Sequence, residues 1–561
     1  MRLLALAAVV LCTALPVRAQ TEGLLQIGSD LETFLLRQHA LGRLPDLDPG
    51  ALPLAAEHAQ ALLDTLAVRA DTLGLTRVDR QLVAGYRGAE PFGLATDAVA
   101  ERTPLYPNGA SFVHVEGDGY AVEIVPLLNL SRGPALVDRA ETADEAWASE
   151  WTFSRGARLG GHVGRFYAEA RLTENQELVP LGDRSTRTVP RIGWVRTRGD
   201  VDPTYDYMRS TGIVGYRDRF VDVRAGRDRN RWGFARGSLV LSNYATEYDH
   251  VQVRVQAGPF TIQSLYARFL DPRQETLSDD AGVVEQRYGV FHRAAVRPGL
   301  GLEFEAFEAV IFGDQNDDNR NGFEPAYLVP FGFYRAVERD LGSPDNVLLG
   351  AGAAWRFAPG YRVYAQGLLD ELTSGRFFED AWTNKWAFVL GAQIADPHLP
   401  GLGRLPNTDL RVEYARLRPY LYSHFARVSS GVHWGDGIGH PAGPNASDLT
   451  VGLAHRPHPD VEVSLDAWTT VRGRNTPELN YGADPGRPYT DRVPEPNPTL
   501  QGVRQRLVYA DLRLGARLLP ELFAGLSLRA RSTEDELDGG SGVLSPQAFL
   551  RWGLTPSSPR Y

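Results

Sequence analysis

The sequence predicts an all-β transmembrane barrel of about eighteen antiparallel strands, preceded by a small α-helical domain. Three observations carry this. From about residue 119 onward, apolar and polar residues alternate with period two. The alternating segments run roughly 9–13 residues, nearer the membrane-spanning length than the usual strand of about 5 or 6. Tight turns alternate with long polar loops, the asymmetry of bacterial barrels, whose strand count is even.

The chain opens on an expected signal peptide, residues 1–19. Arg2 supplies the positive start, residues 3–15 are an apolar core too short to span a bilayer, and Val17-Arg18-Ala19 suits cleavage ahead of Gln20. The one cysteine, Cys12, lies inside this segment. A lipoprotein would need a small residue before it, where Leu11 stands. An exported chain without cysteine excludes disulfides, thiolate catalysis and cysteine metal sites. Losing Arg2 and Arg18 moves the balance from 59 basic residues to 57, against 69 acidic ones, so the net charge falls from −10 to −12. An acidic chain is a poor nucleic-acid binder. Its cations are arginines apart from Lys385, and guanidinium forks suit carboxylates and phosphates. No run of about 18 apolar residues follows the signal, so no transmembrane helix is expected.

Residues 20–105 are expected to form a periplasmic helical domain and residues 106–561 the barrel. Ser29 with Glu32 reads as a capping box ahead of Leu31, Phe34, Leu35 and Leu36, with Gly42 as a stop before Pro45. Residues 53–66 are Ala- and Leu-rich at helical spacing, and Thr76 with Asp79 opens a third helix carrying Val78, Leu82 and Tyr86.

The strand pattern is clearest in "HVQVRVQ" (250–256), where Val251, Val253 and Val255 oppose Gln252, Arg254 and Gln256. "RFYAEARL", "VEVSLDAW", "VYADLRLGAR" and "LFAGLSLRAR" repeat it, with Asp511, Arg513, Arg517, Arg529 and Arg531 on the polar side. A soluble sandwich would bury the apolar face; a membrane barrel turns it to lipid and keeps the charges in the lumen. "AGPF", "RPGLG", "APGY" and "LPEL" read as turns, residues 173–207 and 313–345 as long outer loops. Aromatics make up 10% of residues. Tyr361, Trp382, Trp386, Tyr420 and Tyr422 are candidates for an interfacial girdle. "QAFLRWGL" (547–554) reads as the last strand, close to the aromatic terminus Tyr561.

This order of parts resembles the capsule-assembly Wzi family of outer-membrane proteins. "GRDRNRWG…SLVLSNYA" (226–245), "FGFYRAVERDLGSPDNVLLGAGAAWRF" (331–357) followed by "YAQGLLDEL" (364–372), and "NTDLRVEYARLRPYLYSH" (407–424) are similar to three of its segments, in order. One departure stands out: after Trp232-Gly233 the family pattern has Pro, and this chain has Phe234. The resemblance implies attachment or assembly of capsular or exopolysaccharide at the cell surface, by binding rather than catalysis. No cofactor is expected.

Five arginines, Arg224, Arg227, Arg229, Arg231 and Arg236, fall within thirteen residues around Trp232. Arg224 continues the strand "FVDVRA" and should point into the lumen. The segment from Arg227 should be irregular, which membrane depth tolerates only where protein or water covers it. Two readings stay open. The arginines hold carboxylates or phosphates of an acidic polysaccharide, with Trp232, Tyr244 and Asn243 meeting its sugars. Alternatively they pair inside the lumen with Glu303, Glu305, Asp370, Glu413 or Asp466. Arg335, Glu338, Glu413 and Tyr414, from the family segments, are open to the same two readings.

Asp317, Asn319, Asn321 and Gly322 match half of a calcium loop, but the twelfth position is Leu328, so a polar outer loop is the reading. No G-x-S-x-G, H-E-x-x-H or P-loop occurs, and twelve histidines lie at no ligand spacing. The partners expected are an acidic polysaccharide and outer-membrane lipid, with no nucleic acid. A porin or specific channel is the main alternative, and an enzyme acting on glycans or lipid a further one.

Overall fold

The computed structural model describes residues 23–90, 92–96, 112–138, 145–182, 188–199, 203–272, 282, 284–313, 324–328, 334, 337, 345–376, 379–401 and 403–556. The signal segment, the boundary near 105, Asp317, Asn319, Asn321, Gly322 and Tyr561 lie outside them.

Eighteen antiparallel strands close into a barrel. They are β1 (Tyr120–Asp138), β2 (Glu145–Val163), β3 (Phe166–Leu178), β4 (Thr204–Arg217), β5 (Val221–Asp228) and β6 (Tyr248–Ala257). Then come β7 (Phe260–Pro272), β8 (Val284–Gly299), β9 (Leu302–Gly313), β10 (Asn346–Ala358), β11 (Tyr361–Glu371) and β12 (Lys385–Ala395). The last six are β13 (Thr408–Leu417), β14 (Ala446–His458), β15 (Val461–Arg474), β16 (Val503–Leu519), β17 (Leu522–Asp535) and β18 (Gly539–Trp552). β18 returns to β1, from Trp552↔Leu128 to Gly542↔Asp138. Below that seam the short strand Val113–Gly117 takes over the pairing with β1.

The faces fall as the alternation requires. Val251, Leu512, Leu514, Leu526 and Leu528 are exposed on the outer wall, whereas Gln252, Asp511 and Ser527 are buried inside. A soluble sandwich would do the reverse. With no open edge and an apolar outside, the structure is a membrane-spanning one. The four expected turns all lie at one end, joining β6 to β7, β8 to β9, β10 to β11 and β16 to β17. Gly360 shows why one of them needs glycine: its φ is +84°, and a Cβ would stand 2.2 Å from the Ala395 carbonyl oxygen.

Several expectations need correction. The loop expected over 173–207 is partly strand, because β3 runs to Leu178 and β4 begins at Thr204. Above the apolar belt both faces of a strand are wet, so the alternation fades while the ladder continues. For the same reason β5 runs on through Arg227 and Asp228, paired with Asp249 and Tyr248. The girdle is real at the turn end, where Trp355, Phe357 and Tyr361 rings lie 5.7 and 6.0 Å apart in succession. Trp386 stacks on Phe388 at 6.0 Å. Tyr420 and Tyr422, however, are fully buried, and Trp382 packs in a rim loop on Tyr489.

The N-terminal segment folds as α1 (Asp30–Ala40), α2 (Ala56–Val68) and α3 (Arg77–Tyr86). Thr76 and Asp79 make the full reciprocal cap of α3. At α1 only half of the expected box forms: Ser29 Oγ accepts from Glu32 N, but the Glu32 carboxylate turns to Gly28 N instead of Ser29 N. The three helices share a core of Leu35, Leu52, Leu63 and Leu66.

Candidate functional site

The helical segment is fastened to inward-facing wall residues. Asp48 takes both terminal nitrogens of Arg293 on β8, at 2.8 and 2.9 Å. His39 meets Glu303 on β9 at 3.1 Å. Arg37 of α1 pairs with Asp409 on β13 at 2.9 Å and also with Asp396.

Two rim segments turn back into the lumen to meet it, residues 229–247 between β5 and β6 and residues 418–445 between β13 and β14. Their meeting is explicit: Ser242 N–H donates to Ile438 O at 2.9 Å, and the Tyr422 hydroxyl donates to Leu239 O at 2.7 Å. Leu239, Val240 and Leu241, with Leu421 and Ile438, share a dry core with inward wall residues such as Phe269 and Phe307. The run "SLVL" is therefore a core segment lying inside the barrel. The plug joins it directly, because Ala51 and Leu52 pair with Trp232 and Arg231.

This arrangement separates the sequence candidates. Arg224 is buried and donates to Pro53 O, Asn230 Oδ1 and Gln252 Oε1, so it anchors the plug. Trp232 is fully buried, edge-to-face with Phe291 at 6.4 Å, and offers no face to a sugar. Arg227 and Tyr414 stand on the outer wall by the period of their strands. Arg227 Nε donates to Asp249 there at 2.7 Å, and Tyr414 is exposed beside Phe388. Neither belongs to a lumen site. Arg335 and Glu338 lie outside the described residues. Their neighbour Tyr334 packs against the outer wall, its N–H donating to Glu308 at 2.6 Å.

Arg229, Arg231, Arg236, Asn243 and Glu413 do come together, around a cavity of about 320 Å³ between α1, residues 229–244 and the strands β13 to β16. Helix α1 adds Glu32, and the wall adds Arg411, Asp466, Trp468 and Arg513. In all, seven arginines and five carboxylates border it, an excess of two positive charges when every group is ionised.

Several of these charges are already engaged. Glu413 accepts the N–H groups of Arg236 (2.8 Å) and Gly237 (3.3 Å) and the Tyr364 hydroxyl (2.5 Å), so it clamps the inward loop. Asp466 takes Arg236 at 3.1 Å and Arg513 at 3.5 Å. Among the expected carboxylate partners, this is the ion pair that a member of the arginine cluster makes. Arg229 lies 3.6 Å from Glu247 instead. Among the described residues, Arg231 Nε and Glu32 Oε2 are buried without a hydrogen-bond partner. Burial lifts the Glu32 carboxyl to about 7 against the pull of Arg231, and burial lowers Arg231 to about 10.

The family model for the capsule assembly protein Wzi matches residues 200–527. The chain belongs to the Wzi capsule assembly family. Among solved structures, the chain is similar in fold to the Escherichia coli outer membrane protein Wzi, described as involved in group 1 capsule assembly and as a carbohydrate-binding β-barrel. The two are 11% identical, with 96% of this chain and 100% of that one covered and a TM-score of 0.52. Pseudomonas aeruginosa OccK9 and OccK7 are also similar, at 10% and 11% identity over 76% and 77% of this chain and 97% and 98% of theirs, with TM-scores of 0.42 and 0.41. No curated protein gives a significant sequence match.

The departure from the Wzi pattern at Phe234 has a local explanation. Its N–H donates to Glu305 Oε1 at 3.2 Å, and Arg362 lies over its ring at 5.0 Å. Proline has neither group. Phe234→Pro is expected to cost about 1–3 kcal/mol by stranding a buried acceptor, read as a lower temperature for the mobility shift that folded barrels show in SDS gels.

Sequence reasoning missed Arg191, Arg411 and Glu32 as cavity residues. Arg411 carried a readable signal, since it alternates with Leu410 and Val412 and shares the inward face with Glu413. Arg191 and Glu32 carried none, because only the folded loop and plug bring them there.

Proposed function

We propose that this chain is an outer-membrane protein that binds acidic capsular or exopolysaccharide and helps attach or assemble it at the cell surface, without catalysing a reaction. The turn end faces the periplasm and the helices close it. The observation that carries the reading is the arginine-rich cavity, whose net positive charge and aromatic flank at Tyr244 and Trp468 suit a sugar acid. Deleting the gene is expected to shed acidic surface glycan into the medium, and re-expression to restore retention. Unchanged retention in the deletion strain overturns the proposal.

An open channel is the competing reading, and the plug opposes it. Helices and inward loops fill the lumen with buried ion pairs and apolar side chains. Purified protein in planar bilayers is expected to give no large steady single-channel current; such currents would favour a porin.

Glu32 makes binding pH-dependent. Its carboxyl, raised to about 7, faces Arg231 and Arg236 of the inward loop and Arg411 of β13. Below that pH it is neutral and the cavity gains a positive charge; above it the charge is lost. Affinity for an acidic glycan is therefore expected to rise several-fold from pH 8 to pH 6, and Glu32→Gln to flatten the change. The check is a binding titration at both pH values in the two proteins.

A further inference from the structure

A second cavity, of about 300 Å³, lies nearer the rim along the same wall. β15 and β16 carry both cavities, and β17 joins at the second. On β16, Arg513 lines the first, while Tyr509 and Leu507 line the second. On β15, Asp466 lines the first and Trp468 borders both. The ladder sets Trp468 opposite Tyr509, and their rings stack 5.6 Å apart at 12°.

The two cavities differ in chemistry. The first is crowded with charge. Among the described residues, no carboxylate lines the second. Val179, Pro180, Val189 and Leu507 give it an apolar lining, with hydroxyls at Thr188 and Thr533. Arg531, its one arginine among the described residues, donates to Pro180 O at 2.7 Å. A pyranose has an apolar C–H face edged by hydroxyls, which matches an aromatic-flanked apolar pocket with a few polar groups.

We infer that the ligand is held as an extended chain along β15 to β17, with an acid-bearing sugar among the arginines and an adjoining neutral sugar against Trp468. The ligand class is then an acidic glycan in which charged and neutral sugars are neighbours. This rests on the reading that the first cavity binds polysaccharide. From Arg513 to Leu507 the wall offers about 20 Å of strand, room for several sugar units.

The test titrates full-length protein in detergent with glucuronic acid alone and with a hexasaccharide of alternating glucuronic acid and N-acetylglucosamine. Wild type is expected to bind the hexasaccharide at least about tenfold more tightly. Thr533→Trp, which fills the second cavity, is expected to abolish that advantage and leave the affinity for glucuronic acid unchanged. Trp468→Ala, checked for assembly by its gel shift, is expected to abolish the advantage too. If length brings no gain in wild type, or Thr533→Trp keeps the gain, the extended-chain inference is overturned while cavity binding stands. If Arg411→Gln leaves glucuronic acid binding intact, or neither ligand binds wild type, the first cavity's role falls and the inference with it.

Discussion

Asp48→Ala is expected to unseat the helical plug and give a leaky barrel. Asp48 is buried, forks onto the fully buried Arg293, and lies 3.5 Å from Arg297 and 3.9 Å from Arg254. Burial alone would raise its carboxyl; the three guanidiniums outweigh burial and hold it far below the usual carboxylate range. Removing it leaves three cations together with Glu305 as the carboxylate bonded to Arg293. Breaking a buried ion pair on one side costs about 3–5 kcal/mol, a large share of the stability of an ordinary domain. Asp48→Asn separates charge from shape: it keeps an acceptor for Gly50 N–H, which bonds Asp48 Oδ1 at 3.1 Å, and loses the charge. Gly50→Ala reaches the same joint by crowding, since a Cβ there would stand 2.4 Å from Arg293 Nη2. All three are expected to conduct ions in planar bilayers and to melt earlier than wild type. If Asp48→Ala stays insulating and melts normally, the plug is held by its apolar contacts and these ion pairs are incidental.

Much of the fold was legible because a membrane barrel writes its environment into every second residue. Lipid accepts valine and leucine, and a closed lumen needs its charges balanced, so "VQVRV" and "LRLGAR" could be assigned faces at once. The caps of the helices were legible for an equally local reason, although Glu32 bonded one residue away from its expected target. Legibility ended where the environment stops differing between faces. Above the lipid belt water lies on both sides, and there the ends of β3, β4 and β5 were placed too short. It ended again inside the plug, where an aromatic residue near a strand end has two destinations. Tyr361 and Trp386 went to the outer wall, but Tyr420 and Tyr422 turned inward with φ near +65° to build the core of the inward loops. Trp232 had two open destinations for the same reason, a sugar-binding face or the lumen network, and the ladder to Ala51 makes it part of the seal between plug and loop.

The cluster of five arginines gives the sharper test, because equal changes in charge should have unequal effects. Arg227→Gln, on the outer wall with Asp249, is expected to leave binding of an acidic oligosaccharide unchanged. Arg231→Gln and Arg411→Gln remove cavity charges and are each expected to weaken it by roughly tenfold or more, as for one charge-assisted contact of about 1.5–3 kcal/mol. Arg411 is the cleaner probe. Its side chain donates to the neutral Gln393 Oε1 at 3.1 Å, so among the described residues its loss strands no carboxylate bonded to it. Arg231 faces Glu32, and its removal lets burial push that carboxyl further up, so protonation of Glu32 offsets the lost charge at pH 8 and the Arg231→Gln defect should be larger at pH 6 than at pH 8. The outcome that sinks the cavity is equal loss in all three variants. That pattern would mean the glycan senses the net charge of the barrel, because Arg227 lies across the wall from every group in the cavity, and a contact inside the lumen has no means of registering its replacement.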